Sequence, residues 1–291
     1  MKCARLVAVA LLLLFPTFDA ASVAGQSSSR LPGSAADYRA EGLRQYDAKL
    51  FEKAVDSFKK ALTLRPDYAQ AHNDLGVTYG AMGRFAEAVD SLTEAIHYKP
   101  DFAEAYCNLG TEYYQQGDLQ SAIRHLREAI RRKPEYALAF NNLGAALSES
   151  GSHVEAVAAY EQALRLRPTW PQAHRNIALA LSTLGDYSRV ITHLHQAIAF
   201  QPGYHEAYNN LGVVYFKQLR YRKATESLLQ AIKLKPDYDE AIYNLGAVQL
   251  TLKQRDDALV QYHRLKNLNS QLANDLYRGL YKGLVLDLRN R

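Results

Sequence analysis

The strongest constraint on this chain is a period. Proline recurs at Pro32, Pro66, Pro100, Pro134, Pro168, Pro202 and Pro236, always 34 residues apart. A Leu-Gly pair keeps the same step at Leu75-Gly76, Leu109-Gly110, Leu143-Gly144, Leu211-Gly212 and Leu245-Gly246. Number each unit from 1 to 34 with the proline at position 32. A small residue then stands at position 20 (Ala54, Ala88, Ala122, Ala156, Val190, Ala224, Ala258) and at position 27 (Ala61, Ala95, Ala129, Ala163, Ala197, Ala231, with Leu265 last). A fixed period of this length is the signature of stacked helical hairpins, each covering the apolar face its neighbour cannot bury alone.

Each unit reads as two helices. At about 100° per residue, positions 4, 7, 8 and 11 share one face of the first helix; in the third unit these are Tyr106, Leu109, Gly110 and Tyr113. Glycine at position 8 lets the second helix approach, with the alanines at 20 and 27 on the other side. Glycine at position 15 (Gly83, Gly117, Gly151, Gly185) predicts a left-handed residue closing the first helix. Proline at 32 ends the second. Asp67, Asp101 and Asp237, with Gln70, Glu104 and Glu240 three residues on, predict capping boxes for the next helices. Pro171 falls at the first position of a helix, where its missing N–H is harmless.

These spacings divide the chain into units 35–68, 69–102, 103–136, 137–170, 171–204, 205–238 and a degenerate 239–272. Past the last unit, Leu272, Leu276, Leu280, Leu284 and Leu288 recur every fourth residue, so 273–291 is expected to be an amphipathic helix capping the last hairpin. The Leu-Gly-x-x-Tyr, Ala-x-x-x-Leu/Phe/Tyr and Pro pattern resembles the tetratricopeptide-repeat family over about residues 35–272. That resemblance implies an all-α, right-handed superhelical solenoid of antiparallel helix pairs whose function is to bind other proteins. Departures from the pattern are Glu41 in the first unit, Ala178 in the fifth, and Leu265 with a missing proline in the seventh.

Residues 1–34 stand outside the period. Lys2 and Arg5 precede the apolar run Leu6–Phe15, broken by Pro16 and followed by small residues to Gly25. This order reads as a secretory signal cut before Gln26, with Ala20 or Ala21 as alternative sites, so 1–25 is expected to be removed and the protein to be secreted or periplasmic. An uncleaved membrane anchor is the alternative, although the apolar run is shorter than the roughly 20 residues a span needs. Residues 26–34, QSSSRLPGS, read as a flexible linker. Removing the signal takes two basic residues and one acidic, leaving a net charge of +4 from the original +5. So mild an excess, without a basic stripe among aromatics, argues against nucleic acid as a partner. Cys107 is then the sole cysteine, so no disulfide within the chain is expected.

One pattern is not demanded by hairpin packing. Position 6 reads Asn108, Asn142, Asn176, Asn210 and Asn244, with Asp74 ahead of them, and position 5 adds Asn73, Asn141 and Asn209. Asparagine is a mediocre helix former, yet its amide offers a donor and an acceptor, the pair that holds a peptide group. Helical geometry puts these residues away from positions 4, 7, 8 and 11, on the concave side of a stack. They are read as a rail for an extended peptide; asparagines bridging adjacent helices are the alternative. The rail is similar to the superhelical arm of the O-linked N-acetylglucosamine transferases, and that likeness implies contacts to peptide backbone. Around it stand Tyr46, Tyr114 and Phe216 at position 12, and Asp47, Gln115, Glu149 and Lys217 at position 13.

Enzymatic chemistry finds no footing here. The nine histidines are scattered, and His193 and His195, the nearest pair, are spaced to point apart on a helix. Phosphate loops, metal-spaced Cys/His sets and nucleophile elbows are missing from the sequence. The expectation is a non-enzymatic scaffold with a protein or peptide partner, without cofactor, metal or small-molecule substrate.

Overall fold

A computed structural model describes residues 33–282, and these residues contain fifteen α-helices and no strand. The signal segment, most of the linker, and the end of the chain with Leu284 and Leu288 lie outside the described residues. Chain contacts divide the structure into two units, with the boundary between Leu166 and Arg167. The first contains α1 (Ala35–Asp47), α2 (Phe51–Leu64), α3 (Ala69–Ala81), α4 (Phe85–Tyr98), α5 (Ala103–Gln115), α6 (Leu119–Arg132), α7 (Ala137–Glu149) and α8 (His153–Leu166). The second contains α9 (Pro171–Thr183), α10 (Tyr187–Phe200), α11 (His205–Lys217), α12 (Tyr221–Leu234), α13 (Asp239–Thr251), α14 (Arg255–Leu268) and α15 (Ser270–Lys282). In both, helices pair as antiparallel hairpins, and within each unit every second helix also packs on the next first helix.

Where a unit carries glycine at position 8, the paired helices close onto it, as in the third and sixth units. A Cβ on Gly110 would lie 2.7 Å from Leu126 Cγ and 3.1 Å from the Ala122 carbonyl. On Gly212 it would lie 2.5 Å from Leu228 Cγ. The partner is thus the side chain at position 24 together with the backbone at position 20, where the fully buried Ala122 and Ala224 leave room. Such contact leaves no space for a methyl group, let alone a larger side chain.

The turn between the paired helices needs a left-handed residue. Gly83, Gly117, Gly151 and Gly185 supply it with φ of 73°, 79°, 87° and 79°. Three units lack the glycine, and Lys49, Leu219 and Lys253 adopt the same conformation at φ near 60°. Packing of the flanking helices holds these side chains in a region L-residues disfavour by roughly 1–2 kcal/mol.

The predicted capping boxes do not form at Asp67, Asp101 or Asp237. The residue before α3, α5 and α13 is instead Tyr68, Phe102 or Tyr238, and none makes a side-chain cap. An aromatic ring at position 34 packs into the hairpin joint and leaves the aspartate one residue too early to reach the helix. Asp118 and Asp186 do cap, but on the second helices α6 and α10, by accepting from the Ser121 and Arg189 amides. A capping box also exists at Ser34 and Asp37, ahead of α1.

At the other end, α15 begins at Ser270, three residues earlier than the pattern of leucines implied. Position 32 is serine there, so nothing forbids helix, and the Asn269 side chain accepts from the Leu272 amide at 3.1 Å to start it. Leu272, Leu276 and Leu280 are buried. Leu276 lies against Gly246, in the place position 24 fills elsewhere, while Tyr262, the residue at that position, turns to Tyr277.

Candidate functional site

The asparagines at positions 5 and 6 are brought together, but between helices rather than on an open face. In residues 33–166, Asn108 Nδ2 donates to Asn73 Oδ1 at 2.8 Å. Asn142 Nδ2 donates to Thr111 Oγ1 at 3.1 Å and lies 4.0 Å from Cys107 Sγ. One unit earlier, Arg39 Nε donates to Asp74 Oδ2 at 2.5 Å. Burial pushes the Asp74 carboxyl up to about 6, against the opposing pull of Arg39. Within each pair, Asn73 and Asn141 also donate to the neighbouring Asp74 and Asn142 side chains.

Residues 167–282 repeat the arrangement. Asn244 Nδ2 donates to Asn209 Oδ1 at 2.8 Å, and both side chains are wholly buried. Asn176 and Arg175 are buried too. Asn210 is the exception in bonding. Its amide nitrogen and oxygen are both buried and neither has a hydrogen-bond partner. Asn108 and Asn244 thus bond from position 6 of one unit back to position 5 of the unit before, a step of 35 residues, and Arg39 to Asp74 spans the same step with the donor at position 5.

An exposed rail of amides is therefore not what this chain presents. Asn108 is 1% exposed and Asn176, the most open at position 6, only 6%. A first helix has neighbours besides its hairpin partner. First helices also touch one another, as α1 with α3, α3 with α5, α5 with α7, and α11 with α13. Positions 5 and 6 fill that second contact.

What stays accessible on the same side is a row at positions 2, 12 and 13. Glu104, Tyr114, Gln115 and Glu149 supply it in the first unit, and Glu206, Phe216, Lys217 and Glu240 in the second. Tyr114 Oη donates to Glu149 Oε2 at 2.9 Å, joining neighbouring repeats along the row. A further column escaped the sequence reading. Aromatic rings at position 34 lie under cations at position 31: Arg65 over Tyr68 at 3.2 Å, Lys99 over Phe102 at 4.7 Å, Lys133 over Tyr136 at 4.8 Å, Arg167 over Trp170 at 4.9 Å and Lys235 over Tyr238 at 5.3 Å. The signal was present as basic-x-x-aromatic across Pro66, Pro100, Pro134, Pro168 and Pro236. Lys133 Nζ also donates to Glu104 Oε1 at 2.8 Å, so cations and carboxylates alternate along this edge.

The remaining reactive groups are engaged elsewhere. Cys107 is fully buried, and burial pushes its thiol up to about 12, which keeps it protonated. His193 pairs with His174, Nδ1 to Nδ1 at 3.1 Å, and His174 Nε2 lies 2.9 Å from the Pro168 carbonyl. His195 meets Tyr215 Oη at 3.3 Å. Among the described residues, no group of three or more His, Cys, Asp or Glu could hold a metal ion, and no helix is long and apolar enough to cross a membrane.

Solved structures with this architecture include a crystal structure of MamA. It is 28% identical, with a TM-score of 0.51 over 55% of this chain and 94% of that one. Pseudomonas aeruginosa pilF is 22% identical, with a TM-score of 0.63 over 69% of this chain and 92% of that one. YrrB, described as a TPR protein with an unusual peptide-binding site, is 22% identical, with a TM-score of 0.54 over 63% and 95%. No curated protein sequence is significantly similar to this chain. Sequence profiles described as tetratricopeptide repeat or TPR repeat match residues 42–83, 77–123, 107–171 and 205–238, together more than half of the 291 residues. The chain belongs to the tetratricopeptide-repeat family.

Proposed function

We propose that this protein is a non-enzymatic scaffold that holds an extended segment of a partner protein along the inner row of its first helices. The observation that carries this reading is the half-exposed row at positions 2, 12 and 13, kept in register by the buried bonds beneath it. In this role Asn73, Asp74, Asn108, Asn141, Asn142, Asn176, Asn209 and Asn244 act from below, fixing the spacing of the first helices rather than touching the peptide, and Asn210 is buried beside them without a bond. Tyr114 and Phe216 offer aromatic area, while Gln115, Glu149, Lys217 and Glu206 offer hydrogen bonds of mixed charge, a surface suited to a polar, near-neutral segment. The peptide-binding site named for YrrB supports the mode, since that protein shares this architecture. The chemistry available also supports binding over catalysis, because the buried thiol and the paired imidazoles are all turned inward.

Selection of linear peptides displayed on phage against the purified protein tests the reading. Peptides should be recovered, and Tyr114→Ala with Gln115→Ala, or Phe216→Ala with Lys217→Ala, should weaken them at least tenfold without lowering the melting temperature. Partners that protect only the second helices from hydrogen exchange would refute it and favour an assembly scaffold using the outer face. We further propose export of the chain, with the mature protein beginning near Gln26. Soluble cytosolic protein retaining Met1 in a secretion-competent host would end that part of the proposal.

A further inference from the structure

From the second unit on, position 10 of the first helix is a core position, although the first unit has an exposed Arg44 there. Thr78, Ala146, Ala180, Val214 and Val248 occupy it, all buried. In the third unit the residue is Glu112, also 0% exposed. Neither carboxyl oxygen has a hydrogen-bond partner, and no ion pair is made. The room for this side chain comes from α3. At position 12 of the preceding unit, where Tyr46 and Tyr114 stand in the units either side, the residue is Gly80. Any Cβ on Gly80 would run into the Glu112 carboxyl, so the acid fills the notch that glycine leaves.

An ionised carboxylate sealed in this way carries a large desolvation cost with nothing opposite to offset it. Desolvation is the sole influence on the Glu112 carboxyl, and Asp47 of α1, Tyr79 of α3, Arg84 and Glu87 at the start of α4, His125 of α6 and Glu149 of α7 exert none on it. Arg84 is tied to Glu87, His125 is stacked on Tyr113, and Glu149 is bonded to Tyr114. None of them neutralises Glu112. Tyr46 alone registers it, its phenol being pushed up by burial first and then by Asp47 and Glu112.

We propose that Glu112, wedged against Gly80, is a proton-operated joint between α3 and α5: protonated it packs the two repeats together, and ionised it loosens them. Burial alone pushes this carboxyl from its ordinary 4.5 up to about 7. The native state therefore holds the proton more tightly than the unfolded chain. The joint's contribution is full below about pH 4.5 and is lost as pH rises toward and through 7. A scaffold so built would change the spacing of its second and third first helices across the neutral range.

The test compares the full chain with Glu112→Gln in urea unfolding from pH 5 to 8. The ratio of their folding constants should fall by about 70-fold between pH 5 and 8, most steeply about midway between 4.5 and 7. A ratio that stays flat overturns the proposal. Because the Glu112→Gln chain could itself fail to fold, the Glu112 side-chain carboxyl is also titrated by carbon-detected NMR in the wild-type chain. A midpoint near 7 supports the joint, and a midpoint near 4.5 overturns it whatever the variant does.

Discussion

Asn108 and Asn210 occupy the same position of their repeats, carry the same side chain and are both buried, yet they should respond to alanine in opposite senses. Asn108 donates to Asn73 Oδ1 at 2.8 Å. Removing it strands a buried carbonyl oxygen, at a cost of about 1–3 kcal/mol. Alanine returns about half a kcal/mol as the better helix former, so Asn108→Ala should destabilise by about 1–2 kcal/mol. In an array of this size that is a fall of a few degrees in melting temperature, at about 2–4 °C per kcal/mol. Asn210 has no such bond to lose, and both polar atoms of its amide are buried without a partner. Asn210→Ala removes two unpaired groups and gains helix propensity, so it should be neutral or stabilising by up to about 1 kcal/mol. Thermal and urea melts of the two variants read this directly. A double-mutant cycle of Asn108→Ala with Asn73→Ala should recover most of the single-variant loss, because the stranded partner leaves too. Equal losses at both positions, or additive effects of Asn73 and Asn108, would refute the view that side-chain bonds between repeats hold the first helices together.

Gly110→Leu should destabilise by about 1–3 kcal/mol or more through overpacking against Leu126 and Ala122, and an unchanged melting temperature would contradict that close approach. Leu219→Gly should stabilise by up to about 1 kcal/mol, because an exposed leucine at φ 60° gives way to the residue that accepts this conformation; a loss measured in urea would speak against strain at that turn. Burial, then His174 and Arg189, depress His193 from 6.5 to about 4, so its contribution to stability is full above 6.5 and lost as pH falls through 4. Replacing His193 with Gln should flatten the acid side of the stability–pH curve, and an unaltered slope between pH 4 and 6 would disprove this.

Helix boundaries were legible because glycine and proline punctuate the chain. Gly117 and Pro134 alone fix where α5, α6 and α7 end or begin, since one needs a positive φ and the other cannot continue a helix. Capping was misread because the position-34 ring outcompetes the aspartate beside it: burying Phe102 or Tyr238 decides the geometry of the joint, and Asp101 or Asp237 is left to solvent. The asparagines were misplaced for a different reason. A helical wheel knows about one partner, whereas Asn108 and Asn244 face a second helix 35 residues away that no wheel displays. Glu112 was missed because the units were read along their length. Read down a column, an acid among Thr78, Ala146, Ala180 and Val214, with Gly80 facing it, stands out without any coordinates.

The 35-residue step of the side-chain bonds has a consequence for how such an array can be rearranged. A repeat with asparagine at both positions, as Asn73 or Asn209 at position 5 and Asn142 or Asn210 at position 6 illustrate, can supply an acceptor to the next repeat and a donor to the one before, so the side chains at these two positions decide which repeats can adjoin. Where both are amides, as at Asn73 with Asn108 and Asn209 with Asn244, any copy mates with any other. Where they are not, the joint is keyed. Excising residues 69–102 would set Arg39 against Asn108 in place of Asp74, exchanging a buried ion pair for a cation facing an amide. Excising 205–238 would set Arg175 against Asn244, which now bonds Asn209. Interchangeable amide joints tolerate loss or gain of a repeat, and the keyed joint at Arg39 and Asp74 fixes which repeat must follow the first.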